Sequence, residues 1–384
     1  MESLAEKIKE LFIKKFKNTP SVYFSPGRIN LIGEHIDYND GFVMPCAINK
    51  GMYFAIAENG TDTIHFYSRD YDEKYETPLN KIGADEGWKN YVLGVVDEFQ
   101  KAGKGIKGFD CVFGANLPSG AGLSSSAALE GGLAFGLNEI FNLGYTRKEL
   151  AFLCQRAEHG FPGVKCGIMD QYANMMGKED HAIYLDCMSF EGVPIPLELG
   201  DYSIVLINSR VHHALASSAY NTRRNESETG LQIIRKNSNY KSYRDIKSAA
   251  SLKKFEIEMG TYVFKRATFI VEEIQRTILA SKLLKQKKIK AFGELMFQSH
   301  EGLSNLYKVS CAELDFLVKI AKSNPDVVGA RMMGGGFGGC TINLVKSSGI
   351  AAFIENSLTE YKKEFQISAE PLRVTVSNGT MRLG

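Results

Sequence analysis

LPSGAGLSSSAALE, residues 117–130, joins a strand-like segment to a segment with helical spacing. Apolar and aromatic residues of Phe109–Gly114 precede it, and apolar residues follow at helical intervals as far as Phe141. Small residues at 120–122 let the backbone approach a ligand closely. The serines at 124–126 place hydroxyl and N–H groups at a predicted helix N-terminus, which attracts anions. Taken alone, the pattern fits either a phosphate-binding loop or an ordinary serine cap after a glycine turn.

A second glycine-rich run, GGGFGG at 334–339, matches the G-x-G-x-x-G fingerprint of dinucleotide-binding proteins. That fingerprint must open a helix, whereas the strand-like segment TINLV follows here. The sequence also has no G-x-x-x-x-G-K-[ST] loop and no H-R-D or D-F-G tripeptide. Nicotinamide-dependent dehydrogenases, Walker-type ATPases and protein kinases are therefore disfavoured.

SPGRINLIGEHIDYNDG, residues 25–41, concentrates charged and polar side chains between two apolar segments. Any one of these charges would be unremarkable in a surface loop. Four of them within ten residues indicate a site for a polyhydroxylated ligand, because carboxylates accept hydrogen bonds from hydroxyls and imidazole can donate or accept. The four are Arg28, Glu34, His35 and Asp37.

GIMDQYANMMG, residues 167–177, places Asp170 in largely uncharged surroundings. An aspartate at a helix start is often a cap, but it also suits a general base that a cation such as Arg28 keeps ionised. Glu158 lies near the end of a predicted helix, where the helix dipole disfavours an acid. A bound metal ion would remove that objection.

Length and charge limit the classes of protein. The 384 residues predict about two or three domains, with a boundary near 194–200. The sequence has 46 basic and 44 acidic residues, and the resulting net charge of +2 argues against nucleic-acid or membrane partners. No apolar run reaches the roughly 18 residues of a membrane span, and the first 16 residues predict an amphipathic helix. Seven cysteines without a C-x-x-C pair indicate reduced thiols, so we expect a cytoplasmic protein.

Strands and helices mix without strict βαβα alternation, which favours the α+β class. Trp88 to Phe99 has one apolar helical face, and capping boxes at Thr146 and Ser310 predict two further helix starts. The predicted strands are Val22–Phe24, Met52–Ala57, Ile64–Tyr67, Phe109–Gly114, Tyr202–Asn208, Val328–Met333, Thr341–Val345 and a final one at Leu372–Val376.

GRINLIGEHIDYNDG, LPSGAGLSSSAALE, GIMDQY and GARMMGGGFGGC resemble, in order and spacing, the motifs of the GHMP kinases. The first string is similar to the galactokinase signature in particular. The resemblance runs from about Ser25 to the final strand. It implies a two-lobed α+β fold with the active site between the lobes. Residues 1–198 would form a lobe like domain 2 of ribosomal protein S5, and residues 199–384 a ferredoxin-like α/β plait.

The resemblance also implies roles for individual residues. Asp170 matches the catalytic aspartate, and Arg28 matches the residue that steadies it and the transferring phosphoryl group. Ser126 and Glu158 match ligands of a magnesium ion. The implied sugar contacts are Glu34, His35, Ile36, Asp37, Gly167 and Tyr220. The implied ATP contacts are Ser68, Gly120, Ala121, Gly122, Leu123, Ser124, Ser125 and Ser126.

The activity that follows from this resemblance is magnesium-dependent phosphorylation of the C1 hydroxyl of α-D-galactose by ATP, the first step of galactose metabolism. Ile36 departs from the family string, which usually has threonine there. This departure leaves an N-acetylgalactosamine kinase or another sugar 1-kinase as an alternative. A non-catalytic sensor of galactose and ATP is an alternative of a different class. We expect galactose and ATP as the only partners of a monomeric chain.

Overall fold

The protein is described by a computed structural model that covers residues 3–118, 120–212 and 216–383. Its helices, in chain order, are α1 Leu4–Phe16, α2 Trp88–Lys101, α3 Ser125–Ile140, α4 Arg147–Gly160, α5 Met169–Met176, α6 Ala216–Lys236, α7 Glu256–Lys285, α8 Ile289–Gly302, α9 Ala312–Ser323 and α10 Ile350–Phe365. Its strands are β1 Ser21–Asn30, β2 Phe42–Val43, β3 Pro45–Glu58, β4 Thr63–Ser68, β5 Glu73–Pro78, β6 Phe109–Ala115, β7 His181–Asp186, β8 Glu191–Pro196, β9 Tyr202–His212, β10 Val327–Met332, β11 Gly338–Lys346, β12 Glu370–Arg373 and β13 Met381–Leu383.

The N-terminal lobe contains a six-stranded sheet in the order β13-β1-β3-β6-β4-β5, in which β4 and β6 pair in parallel. Helix α3 lies against this sheet, and every residue from Ala127 to Leu137 is buried. Glycine allows the close approach, because a Cβ atom on Gly132 would lie 2.1 Å from the Phe54 ring. The packing fixes the N-terminus of α3, where the predicted phosphate loop ends.

The C-terminal lobe contains a four-stranded antiparallel sheet in the order β10-β11-β9-β12. The helices α6 to α9 connect β9 to β10, and α10 connects β11 to β12. This strand order and connectivity are those of a ferredoxin-like α/β plait, so the predicted architecture is confirmed. A small third sheet pairs β2, which lies between β1 and β3 in sequence, with β7 and β8.

The two lobes share a hydrophobic core. One buried cluster joins three residues at the end of β1 and just after it to Phe292 of α8 and Ile342 of β11. The three are Ile29, Leu31 and Ile32. Burying such side chains from both lobes together removes apolar surface from water and stabilises one arrangement of the lobes. The segment that carries the predicted sugar-binding residues begins at this junction.

Most predicted elements are present, with two corrections. The capping box at Thr146 opens α4 as expected, and α1 has one of its own at Ser3. The predicted capping box at Ser310 is wrong: α9 begins at Ala312, and the Ser310 hydroxyl donates to Asp315 Oδ1 at 2.5 Å instead. The final predicted strand ends early, at Arg373, and the sequence pattern did not predict β13. Within the described residues, no helix is both long and apolar enough to span a membrane.

Candidate active site

Arg28 and Asp170 form a bidentate ion pair at the centre of the cleft between the lobes. Arg28 Nε donates to Asp170 Oδ1 at 2.7 Å, and Nη2 donates to Oδ2 at 2.9 Å. The remaining arm of the guanidinium donates to the carbonyl oxygen of Gly122 at 2.5 Å. Burial disfavours the charged guanidinium, yet attraction to Asp170 and Glu34 holds the pKa of Arg28 above its ordinary value. The sequence prediction of a cation beside Asp170 matches this geometry.

The predicted phosphate loop curves around this pair and ends at α3. Gly120 and Gly122 both have positive φ, as the turn requires, and Ser124 also adopts a left-handed conformation. The Leu123 carbonyl accepts from the Arg28 amide at 3.1 Å, while the Ser124 hydroxyl donates to Asp170 Oδ2. Ala121 and Leu123 are buried in the core, although Leu123 also lines the cleft together with Ser125 and Ser126. Loop, arginine and aspartate therefore form one connected unit.

The glycine-rich run at 334–339 packs directly on the phosphate loop. A Cβ atom on Gly334 would lie 2.9 Å from the Gly122 carbonyl oxygen, and one on Gly339 would lie 3.1 Å from Ala121. Together the two segments enclose a cleft of about 310 Å³ that also contains Arg28 and Asp170. Strand β11 begins within the run, at Gly338, so the run does not open a helix and the dinucleotide interpretation stays disfavoured.

A second cavity of about 480 Å³ continues from this cleft and shares Ser125 and Ser126 with it. The Ser68 hydroxyl lines this cavity and has no hydrogen-bond partner among the described residues, although it is buried. An orphaned buried hydroxyl beside aromatic rings suits the edge of a planar heterocycle. Sequence reasoning missed the aromatic side chains of the lining and Met52, which come from separate segments. They are Met52, Tyr71, Trp88, Tyr91 and Phe113.

On the other side of Asp170, two more carboxylates line the predicted sugar site. Burial, with repulsion from Asp170 and Glu34, raises the pKa of Asp37 to about 7. A Cβ atom on Gly167 would lie 2.0 Å from Asp37 Oδ2, so a larger residue at this position would displace the Asp37 carboxylate. Burial also opposes ionisation of Glu34, but Arg331 and Arg28 hold its pKa below the ordinary value. Carboxylates so placed accept hydrogen bonds from a ligand rich in hydroxyl groups.

His35 is held by protein atoms on both ring nitrogens. Nε2 lies 3.1 Å from the Gly335 carbonyl, which can only accept, so Nε2 donates and Nδ1 accepts from the Tyr38 hydroxyl at 2.7 Å. Tyr38 in turn lies 3.0 Å from the Tyr307 hydroxyl. Burial lowers the pKa of His35 to about 4, so the ring is neutral. Tyr220 packs on this group, with ring centroids 5.4 Å from His35 and 5.6 Å from Tyr38.

Ile36 differs from its neighbours, because its side chain is fully buried in the hydrophobic core. The main chain at this position accepts hydrogen bonds from the amides of Asn39 and Gly41. The structure therefore places Glu34 near Arg28 and Asp37 near Asp170, and it holds His35 by protein atoms beside them. It does not place the side chain of Ile36 at the site.

Glu158 lies 94% buried at the end of α4, next to a second carboxyl group that sequence reasoning did not single out. Burial and repulsion from Asp170 raise the pKa of Glu158 to about 7. Glu130 is fully buried, has no hydrogen-bond donor among the described residues, and has its pKa raised well above the ordinary value by burial and by Glu158. A cation bound near these carboxyl groups and the Ser126 hydroxyl would reduce the electrostatic repulsion between the carboxylates.

Three family models match the chain in order. The galactose-binding signature of galactokinases matches residues 10–58, the N-terminal domain of GHMP kinases matches 90–178, and their C-terminal domain matches 280–364. The matched ranges contain the signature loop, the phosphate loop with Asp170, and the glycine-rich run respectively.

The chain is 40% identical to a galactokinase of Thermotoga petrophila, over 94% of this chain and 99% of that one. It is 39% identical to a galactokinase of Clostridium acetobutylicum, over 99% and 98%. The crystal structure of Lactococcus lactis galactokinase complexed with galactose superposes with a TM-score of 0.95 at 34% identity, over 99% and 100%. A mevalonate kinase structure at 20% identity, with a TM-score of 0.64, shares the fold. The chain belongs to the galactokinase family of the GHMP kinases.

Proposed function

We propose that this chain is an ATP-dependent sugar kinase that phosphorylates the C1 hydroxyl of α-D-galactose, giving α-D-galactose 1-phosphate and ADP. The observation that carries the proposal is the placement of Asp170, which belongs to both sites. It lines the cleft of the phosphate loop and stands beside the carboxylates Glu34 and Asp37. Relatives named galactokinase, one of them solved with galactose, support galactose over the alternative substrates.

In the proposed reaction, the C1 oxygen attacks the γ-phosphorus of ATP while the bond from that phosphorus to the leaving oxygen of ADP breaks. Asp170 accepts the proton that the C1 hydroxyl releases. Arg28 holds this carboxylate in place through two hydrogen bonds and balances charge on the transferring group. Phosphoryl transfer depends mostly on positioning and electrostatics, so a fixed acceptor between two binding sites supplies what is needed.

The phosphates of ATP would bind to the loop at 120–126. Exposed amides and hydroxyls at the N-terminus of α3 favour negative charge, and the glycines allow the close approach. The adenine would occupy the adjoining cavity, where Ser68 has a free hydroxyl and Trp88 and Phe113 offer ring surfaces. This division assigns each of the two neighbouring cavities to one part of the nucleotide.

The residues fit a magnesium ion, which would supply positive charge against the phosphate oxygens when bound. Ser126 and Glu158 would hold it, because both side chains provide the oxygen ligands that this ion prefers. The buried carboxyl oxygens of Glu130 and Oε1 of Gln171 have no hydrogen-bond partner among the described residues. No set of three His, Cys, Asp or Glu side chains suited to a metal occurs in the described residues, so ATP and water would complete the coordination.

We also propose a monomer in the cytoplasm. The seven cysteines are free thiols, five of them buried, which suits a reducing compartment. Light scattering of the purified chain tests the oligomeric state directly.

An assay that couples ADP release to a colour change tests the function. Galactose, N-acetylgalactosamine and glucose are offered in turn with ATP and magnesium, and we expect turnover with galactose. Turnover with N-acetylgalactosamine alone would identify that sugar, and not galactose, as the substrate. Binding of galactose and ATP without ADP release would make the protein a sensor, and omission of magnesium in the same assay checks the metal requirement.

A further inference from the structure

Arg331 is a fully buried arginine on strand β10 of the C-terminal lobe. It extends from β10 to the segment that follows β1 in the N-terminal lobe. Its Nε donates to the Leu31 carbonyl at 2.9 Å, and its Nη2 donates to the Asn30 carbonyl and, at 3.1 Å, to Glu34 Oε1. Its Nη1 donates to the Met332 carbonyl at 2.8 Å. One side chain thus connects the main chain before Glu34 with the Glu34 carboxylate itself.

A buried arginine is costly unless its N–H groups find acceptors of the right geometry. Here the acceptors are arranged around the rigid guanidinium fork, which a lysine ammonium cannot reproduce. Because three of them belong to residues 30–34, the guanidinium fixes the position of that segment and the direction of its last side chain. A residue needed for packing alone would not require contact with the carboxylate.

The two oxygens of Glu34 have different surroundings. Oε1 accepts from Arg331 and also from the Gly334 amide at 2.8 Å, so protein donors surround it. Oε2 accepts no hydrogen bond from the described residues. It is also not among the polar atoms that are both unpaired and closed off from solvent. The carboxylate is therefore held by one oxygen, and the other is left for a ligand.

A second contact from the C-terminal lobe supports the same segment. Glu273 of α7 is fully buried and accepts from the Gly33 amide at 3.0 Å. With the amide before Glu34 and the carbonyls of Asn30 and Leu31 all bonded across the lobes, the main chain has little freedom to turn the Glu34 side chain away. Arg331 differs from Glu273 because it alone of the two contacts the carboxylate.

We propose that Arg331 is a positioning residue for sugar binding, which fixes the Glu34 carboxylate in place and directs its free oxygen at the galactose. This inference rests on the proposed function, in which Glu34 accepts a hydrogen bond from a sugar hydroxyl. Galactose affinity then depends on Arg331 through Glu34, whereas nucleotide affinity does not depend on it. Arg331 does not touch substrate, so its effect must disappear when the Glu34 carboxylate is removed.

A double-mutant cycle tests this dependence. Arg331→Lys and Arg331→Met are made in the natural sequence and in the Glu34→Gln background, and calorimetry measures binding of galactose and of a non-hydrolysable ATP analogue. We expect either Arg331 substitution to weaken galactose binding by about 10- to 100-fold, the cost of a lost hydrogen bond to a buried charge. ATP-analogue binding should stay within about twofold, and in the Glu34→Gln background the further loss of galactose affinity should also stay within about twofold.

Arg244→Lys is the control, since Arg244 donates two hydrogen bonds to the Asp186 carboxylate and neither residue lines the two cavities of the site. It should leave galactose affinity within about twofold. Equal weakening of sugar and nucleotide, an unchanged loss in the Glu34→Gln background, or a lysine variant too unstable to bind the ATP analogue would each overturn the proposal. If the natural chain binds another sugar but not galactose, the proposed function fails, and the same cycle with that sugar still decides the role of Arg331.

Discussion

Asp170 receives three hydrogen bonds from side chains, and Arg28 supplies two of them through its Nε and Nη2 atoms. The third comes from the Ser124 hydroxyl. The two partners of the ion pair are 142 positions apart in the sequence, yet the aspartate is held at both oxygens. An acceptor fixed in this way needs no rearrangement when a substrate hydroxyl arrives, which is the condition for efficient proton acceptance.

Asp170→Asn should abolish most turnover while leaving sugar binding largely intact. Asparagine keeps the shape and can still accept from Arg28, but it cannot take up the proton. We expect kcat to fall by about 10²- to 10⁴-fold, the usual contribution of a positioned base. Steady-state kinetics and galactose titration on the same preparation provide both values. Turnover close to that of the natural chain would show that Asp170 only orients the hydroxyl.

Gly167→Ala should damage the sugar site specifically. The added Cβ atom would overlap Asp37 Oδ2 at 2.0 Å, and the carboxylate would have to move. We expect the KM for galactose to rise by about tenfold or more, the cost of one displaced hydrogen bond to a charged group, with little change in the KM for ATP. Gly160→Ala is the control, because nothing lies within 4 Å of a Cβ atom there. Similar kinetics for both variants would contradict the assignment of Asp37 to the site.

Galactose affinity should increase with pH through the neutral range. The pKa of Asp37 is raised to about 7 by burial and by the charges of Asp170 and Glu34, with Arg224 opposing them. Sugar hydroxyls donate to the ionised form, so binding lowers this pKa and releases a proton. Below the pKa, the Kd for galactose should rise by up to about tenfold per pH unit.

Calorimetry without nucleotide, in buffers of different ionisation enthalpy near pH 7, measures this proton release. His35 cannot cause the effect, because its pKa of about 4 leaves it neutral throughout this range. Asp37→Asn should bind galactose more weakly and without pH dependence. A variant that retains the pH dependence would place the titrating group elsewhere.

Part of the site could be predicted from the sequence because its residues lie together in short motifs. Arg28, Glu34 and Asp37 lie within ten consecutive residues, and the phosphate loop has a glycine and serine pattern with a direct physical meaning. The site roles carried over from the family stay predictions until tested by substitution.

Other parts depend on packing between distant segments. Arg331 and Glu130 gain their significance only from complete burial, which no local pattern reveals. The cavity beside Ser68 is assembled from strands β3, β4 and β6 and helices α2 and α3, so its aromatic lining has no sequence signature. The capping prediction at Ser310 is wrong because the Ser310 hydroxyl donates to the Asp315 carboxylate instead. The capping rule does not consider competition from a nearby carboxylate.

The tyrosine pair behind His35 should influence sugar binding in a graded way. Tyr38 donates to His35 Nδ1, so Tyr38→Phe removes the hydrogen-bond donor to that nitrogen, whereas Tyr307→Phe removes a more distant hydroxyl. We expect the KM for galactose to rise by about fivefold for the loss of one neutral hydrogen bond in Tyr38→Phe, and by less in Tyr307→Phe. Tyr243→Phe, whose hydroxyl bonds to the Ser227 carbonyl, is the buried control. Equal effects of all three would indicate a general loss of stability.

Strand β13 pairs with β1, from Val22 opposite Leu383 to Phe24 opposite Met381, so the N-terminal sheet takes its edge strand from beyond the C-terminal lobe. A fragment cut at the predicted boundary of 198 would leave the N–H and C=O groups along that side of β1 unpaired. Such an open edge can pair with another molecule and promote aggregation. The two lobes are therefore poor candidates for separate expression, and a fragment of the N-terminal lobe would need its last strand reattached by a linker.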